Sequence, residues 1–148
     1  MSKTIEEFFR SVPINRFLGY TLERCDEDSA VISMPPRAEY LQEGQAVQGG
    51  IVSALADTTA AYALIPTLPP GMTMTGVEFK INFIRPAKLD HGLLRATGRA
   101  LRRGRNLAVC EVRVAQADSD VAVALFTFLY LPFTKRQRHA EPAEPAAS

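Results

Sequence analysis

Residues 48–64 constrain this chain more than any other stretch. They open with Gln48 and the pair Gly49-Gly50, then run through Ile51, Val52, Ala54, Leu55, Ala56, Ala60, Ala61 and Leu64 with no proline and no further glycine. Such a run propagates as a helix, and a helix apolar on nearly all sides belongs inside a fold, wrapped by other elements. One carboxylate, Asp57, interrupts it. The glycines leave backbone N–H groups uncovered at the helix start, where unpaired donors and the positive end of the helix dipole coincide. A donor-rich tip and a buried carboxylate on one central helix make a candidate active site.

Gly49 and Asp57 are eight residues apart, about 12 Å of helix at ~1.5 Å per residue. A carbonyl oxygen held at the tip is therefore out of reach of the same helix's Asp57. Two antiparallel helices related by a two-fold axis bring each tip to the other's carboxylate, so the site is expected to be shared. Two plainer readings stand beside this one. Asp57 can be the N-cap of a helix that begins only at Thr58, or a carboxylate satisfied by neighbouring hydroxyls.

The 148 residues suffice for one core. With a formal net charge of +1, nothing draws the chain to nucleic acid or to an anionic membrane. Cys25 and Cys110 lack metal-ligand spacing and are expected as buried free thiols in a reducing compartment. The first residues lack the apolar core of a secretory leader, and no run of about 18 apolar residues is free of a charge or a breaker. The expected location is cytoplasmic. His91 and His139 have no second ligand at metal spacing, so no metal is expected. No serine sits in a Gly-x-Ser-x-Gly elbow, which argues against an α/β-hydrolase.

Around the central run the pattern is regular. Thr4 and Glu7 form a capping-box pattern ahead of a short helix that stops before Pro13, and a second short turn closes on Gly19. Residues 20–25 and 30–34 read as strands joined by an acidic turn, residues 26–29. Residues 37–48 lead as a loop into the helix, which Pro66 closes. Residues 75–85 alternate, with Val77, Phe79, Ile81 and Phe83 against Glu78, Lys80 and Asn82, as a half-buried strand ended by Pro86. Residues 93–101 and 107–115 flank a basic hairpin tip carrying Arg102, Arg103 and Arg105. Residues 121–131 are apolar almost throughout and are expected as a central strand buried on both faces.

One domain over residues 1–133 is thus expected, followed by a Pro/Ala-rich tail, residues 134–148, that cannot build a core. Strands, one long helix and then a run of antiparallel strands give an α+β fold with the sheet around the helix. A single sheet of this kind leaves edges and apolar faces that favour association.

The chain resembles the hot-dog-fold acyl-CoA thioesterases, in particular the phenylacetate-degradation type, over residues 14–132. The resemblance rests on Gly49-Gly50, six residues and then Asp57 along the central helix, on the strand ending Phe83-Ile84-Arg85-Pro86-Ala87, and on the order of elements. It implies a curved antiparallel sheet around the helix, two subunits paired as a double hot dog, and dimers that join as tetramers. It also implies hydrolysis of a thioester to acid and coenzyme A, which enters as part of the substrate and not as a cofactor. The thioester carbonyl would accept a hydrogen bond from Gly49 N–H, with Gly50 beside it, and Asp57 of the partner subunit would be nucleophile or general base.

Three positions depart from that pattern. Gln48 stands where His is usual, and Gln42 stands where an Asn commonly helps to hold the attacking water. The usual strand hydroxyl falls on Gly76, with Thr75 next to it. Coenzyme A carries phosphates, which makes Arg85, Arg102, Arg103 and Arg105 candidates for substrate binding, against the plainer reading of a solvated basic turn. The departures motivate an alternative function, an acyl-CoA-binding or sensing protein without turnover. A hot-dog dehydratase needs a catalytic His, and the helix region has none. The acyl group, and the choice between coenzyme A and an acyl carrier protein, are open at this point.

Overall fold

In the computed structural model, which describes residues 3–134, one antiparallel sheet of six strands carries one long helix on its inner face. The expected tail lies outside the described residues except for Thr134. The chain opens with α1 (Ile5–Ser11), whose capping box is complete: Thr4 Oγ1 accepts Glu7 N–H at 3.2 Å and Glu7 Oε2 accepts Thr4 N–H at 2.9 Å. After α2 (Pro13–Phe17) the chain turns through Gly19, whose φ of +72° favours a residue without a Cβ. β1 (Thr21–Cys25) and β2 (Ser29–Met34) pair across the acidic turn. Residues 37–48 form two short 3₁₀ turns before α3 (Gly49–Tyr62).

β3 (Met72–Phe83), β4 (Leu94–Arg103), β5 (Leu107–Gln116) and β6 (Ser119–Pro132) complete the sheet. Its order is β1-β2-β4-β5-β6-β3, so β1 and β3 are the edges. The expected α+β arrangement holds, and the helix begins at Gly49, which removes the reading of Asp57 as an N-cap.

α3 packs on β4, β2, β5 and β6 through one stripe, Val52, Leu55, Ala56, Thr59 and Ala60, at three- and four-residue spacing. Thr59 is fully buried, and its Oγ1 donates to Leu55 O at 2.7 Å. Gly98 of β4 lies directly beneath it. A Cβ at Gly98 would stand 3.0 Å from Thr59 O, so the glycine lets helix and sheet approach closely.

Three expectations of burial need correction. α3 is covered on one side only; Gly50 and Asp57 of its other stripe are exposed in the single chain. β6 buries Ala122, Ala124, Phe126 and Phe128 inward, but Leu125 on its outer face is 45% exposed, because one sheet has nothing to lay over that face. β3 is exposed almost throughout, since it is an edge paired only to β6. Val77, Phe79 and Phe83 are each more than half exposed, an apolar surface that a lone chain leaves in water.

Gly98→Ala is expected to destabilise the protein by ~1–3 kcal/mol through overpacking against the Thr59 backbone. A urea titration would show a lower midpoint at an unchanged slope; an unshifted midpoint would mean that helix and sheet have slack at this crossing.

Candidate active site

At the start of α3, Gln48 is the N-cap: its Oε1 accepts Ile51 N–H at 3.1 Å and its own N–H donates to Tyr40 O at 2.8 Å. The N–H groups of Gly49 and Gly50 donate to nothing among the described residues. A Cβ at Gly49 would stand 3.0 Å from Phe83 Cζ, and one at Gly50 2.6 Å from Gln48 Oε1. The glycines thus let an aromatic ring and an amide lie against the tip while the two donors stay bare. A cleft of about 650 Å³ opens here, with Gln42, Gln48, Gly49, Gly50 and Arg85 in its wall. Arg85 Nη1 donates to Asp120 O at 3.2 Å.

A second cleft, about 1020 Å³, runs along the uncovered stripe of α3 past Gly50, Ser53, Ala54, Asp57 and Ala61. Its floor is aromatic: Phe79 stacks on Phe126 at 5.0 Å between ring centres. Its far end is closed by Phe8, Val12 and Ile14 of the N-terminal segment and by Tyr62 and Ile65. Ser53 does not face a ligand as a free hydroxyl, because it donates to Gly49 O at 2.8 Å, as expected for a helical serine.

Asp57 was expected to be buried, but in the single chain it is exposed on the lip of this cleft. The cleft walls still remove enough water to raise its pKa above the ordinary carboxylate value. Gly76 of β3 lies opposite. A Cβ there would be 4.0 Å from Asp57 Oδ1 and 3.6 Å from Phe128, ordinary contact distances. Thr75, its neighbour, pairs with Leu129, points to the other face of the sheet by strand alternation, and lines neither cleft.

The basic tip is not brought to the site. Arg102 and Arg103 belong to the end of β4 rather than to the turn, and with Arg105 they line neither cleft. Arg103 Nη2 donates to Glu27 O and, at 3.2 Å, to Ala63 O, where the carbonyls at the C-terminal end of α3 attract a cation. From Gly49 to Ala63 the helix runs on the order of 21 Å.

Sequence reasoning did not find the tyrosines. Tyr20 places a buried hydroxyl beside Thr58 and near Asp57, yet with no partner in hydrogen-bond geometry among the described residues, and burial raises its pKa. Tyr62, at the closed end of the long cleft, is pushed up to about 12 by burial, with Asn15 opposing. Both lie in apolar-looking stretches, and only the capping box of α1 hinted that an N-terminal helix would dock nearby. Cys25 and Cys110 are free. Among the described residues no three metal-ligating side chains cluster, and no helix is long and apolar enough to cross a membrane.

A bare-amide helix tip with a carboxylate two turns along the same open stripe, under a six-stranded antiparallel sheet, can be compared with known proteins. The profile of the Thioesterase superfamily matches residues 44–123, a segment that holds both the tip and Asp57. The chain belongs to this superfamily. The acyl-coenzyme A thioesterase PaaI of Escherichia coli is 30% identical over 109 residues, covering 74% of each chain. The crystal structure of that PaaI protein superposes with a TM-score of 0.79 at 26% identity, covering 86% of this chain and 90% of PaaI. A Saccharolobus solfataricus protein, named as a candidate esterase, is 29% identical over 136 residues, 91% of this chain and 95% of that one. AziG of S. sahachiroi superposes with a TM-score of 0.78 at 30% identity, covering 82% and 98% of the two chains.

The raised pKa of Asp57 has a sign that can be tested. The folded chain holds this proton more tightly than the unfolded chain does. Stability therefore falls as pH climbs from the ordinary carboxylate value through the higher folded one. Asp57→Asn is expected to remove that slope. Gly76→Ser is expected to reduce it, because its hydroxyl can donate to the charged carboxylate. Urea titrations over a pH series provide the measurement, and an identical slope in Asp57→Asn would show that Asp57 is not desolvated.

Proposed function

We propose that this protein hydrolyses an acyl thioester of coenzyme A to the free acid and the thiol. The observation that carries the reading is the pairing, on one open helix stripe, of two unpaired amides at Gly49 and Gly50 with a desolvated carboxylate at Asp57. The name of the PaaI relative, an acyl-coenzyme A thioesterase, supports the substrate class. In the reaction, Asp57 takes a proton from water as the oxygen attacks the carbonyl carbon. The N–H groups of Gly49 and Gly50 hold the developing oxyanion. Collapse breaks the C–S bond, and the thiolate leaves to become the thiol. Attack by Asp57 itself, followed by hydrolysis of the anhydride, gives the same products.

The two halves of the site come from different subunits. Within one chain the tip and Asp57 are about 12 Å apart by helix rise, too far for one carbonyl. The exposed apolar edge at β3 supplies a reason for two copies to pair, as a dimer or a dimer of dimers. In that assembly the acyl group occupies the partner's long apolar cleft. Gln42, in the wall of the cleft at the tip, is our candidate to hold the attacking water, with Gln48 beside it capping the helix. The chain acts without a metal or a bound cofactor, in the cytoplasm.

Asp57→Ala is expected to lower turnover by about 10²–10⁴-fold. Gly49→Pro removes one amide and suits the first helical position, with the Phe83 ring, 3.0 Å from where its Cβ stands, shifting to make room. Both variants should be nearly inactive alone. Mixed and reassembled, they should recover about a quarter of wild-type activity, since half of the random dimers contain one intact composite site. A mixture as inactive as its parts would contradict a shared site. Wild-type protein that binds acyl-CoA and releases no thiol would establish instead a binding protein.

A further inference from the structure

Two hydroxyls close to Asp57 are not used by the fold. Tyr20 stands between the Gly19 turn and β1, is 9% exposed, and offers a buried hydroxyl that no group among the described residues bonds. Its backbone is fixed, because Tyr20 N–H donates to Asn15 O at 2.9 Å. Burial raises its pKa, so the group keeps its proton and is a donor. Thr58 lies beside this hydroxyl, and Tyr40 and Asp57 are near it. Tyr40 turns its own hydroxyl elsewhere, to Phe17 O at 3.5 Å.

Thr58 carries the second hydroxyl. Ser53 and Thr59 bond back to the helix, at 2.8 Å to Gly49 O and 2.7 Å to Leu55 O. That is a common arrangement for a helical serine or threonine. Thr58 makes no such bond to Ala54 O among the described residues. It is half-buried, lines the long cleft and follows Asp57 directly in sequence. The Asp57 carboxylate accepts no hydrogen bond among the described residues, and Gly76 across the cleft has no side chain to donate one. A buried hydroxyl without a partner weakens a fold, so its presence calls for a use outside the fold.

We propose that Tyr20 is a positioning residue for the hydrolytic water: its O–H donates to Thr58 Oγ1 and so turns the Thr58 proton into the cleft beside Asp57. The inference rests on the thioesterase reading above. A threonine hydroxyl has one proton to donate and lone pairs that accept. With Tyr20 on its buried side as donor, the Thr58 proton must point the other way, to the open side of the helix. Water beside Asp57 then has its groups assigned. One proton goes to Asp57, one lone pair accepts Thr58 O–H, and the other lone pair is aimed at the carbonyl carbon. The second proton falls to Gln42 Oε1, from the tip cleft of the shared site. Thr58 touches the water, and Tyr20 acts through Thr58.

The test uses the full chain with Tyr20→Phe, Thr58→Val, Thr58→Ser and the double variant Tyr20→Phe/Thr58→Val. Thiol release is followed with acetyl-, hexanoyl- and benzoyl-CoA, and a urea midpoint is taken for each protein. Tyr20→Phe removes one oxygen and keeps the shape of the ring. It is expected to lower kcat about tenfold at unchanged KM, because the lost bond acts on water and not on the bound substrate. Its urea midpoint should stay at or above that of the wild type, since the hydroxyl makes no contact within the fold. Thr58→Val should lower kcat at least as far, and Thr58→Ser should recover most of the loss. In the double variant the Tyr20 change should add nothing to Thr58→Val, as expected when one residue acts through the other.

An active wild type matched by Tyr20→Phe overturns the positioning role alone. So does a loss of kcat that accompanies a lower urea midpoint, which would mark a structural hydroxyl. A further tenfold loss in the double variant, or a Thr58→Ser no better than Thr58→Val, also overturns it. A wild type that releases no thiol from any of the three thioesters brings down the thioesterase reading and this role together.

Discussion

The close seating of α3 on the sheet positions everything else at the site. Thr59 is back-bonded to Leu55 O and sits over Gly98 with no space for a methyl group between them. That contact sets the rotation of the helix about its axis. With Val52, Leu55, Ala56 and Ala60 turned inward, Gly50 and Asp57 must face the other way. The small residues of the open stripe then leave a cleft, and aromatic side chains from β3 and β6 floor it. Neither the carboxylate nor the amides could occupy this surface if the helix were rolled by one residue.

Much of this was legible from residue order. The capping box at Thr4, the acidic turn between β1 and β2 and the helix start at the glycine pair are local signals, and each held. Burial was less legible. An apolar helix and an apolar strand such as β6 say that water should be excluded, not which molecule excludes it. In the single chain the open stripe of α3, the outer face of β6 and the edge at β3 are left uncovered. The same distinction separates the expected buried Asp57 from the carboxylate on a cleft lip.

Relations between elements distant in sequence were hidden for a different reason. Gly76 meets Asp57 only because β3 pairs with β6 and carries a bulge between Gly76 and Glu78, which resets the facing of the strand. Nothing in residues 75–78 announces that bulge. Likewise Arg103 looked like part of a free basic tip, whereas it reaches carbonyls at Glu27 and Ala63, far away in sequence.

The pairing of β3 with β6 also orders events in time. β3 ends at Phe83 and its partner begins at Ser119, so residues 84–118 lie between them, largely as the β4–β5 hairpin. During synthesis β3 emerges with no neighbour to accept its hydrogen bonds, and its apolar side chains wait in water until the last strand is made. A long loop must close before that edge is secured, a slow kind of contact to form. The candidate site groups on α3 are thus made early, while the wall that turns them into a cleft arrives last. Nascent chains expose a sticky strand throughout that interval, the situation in which chaperones are needed.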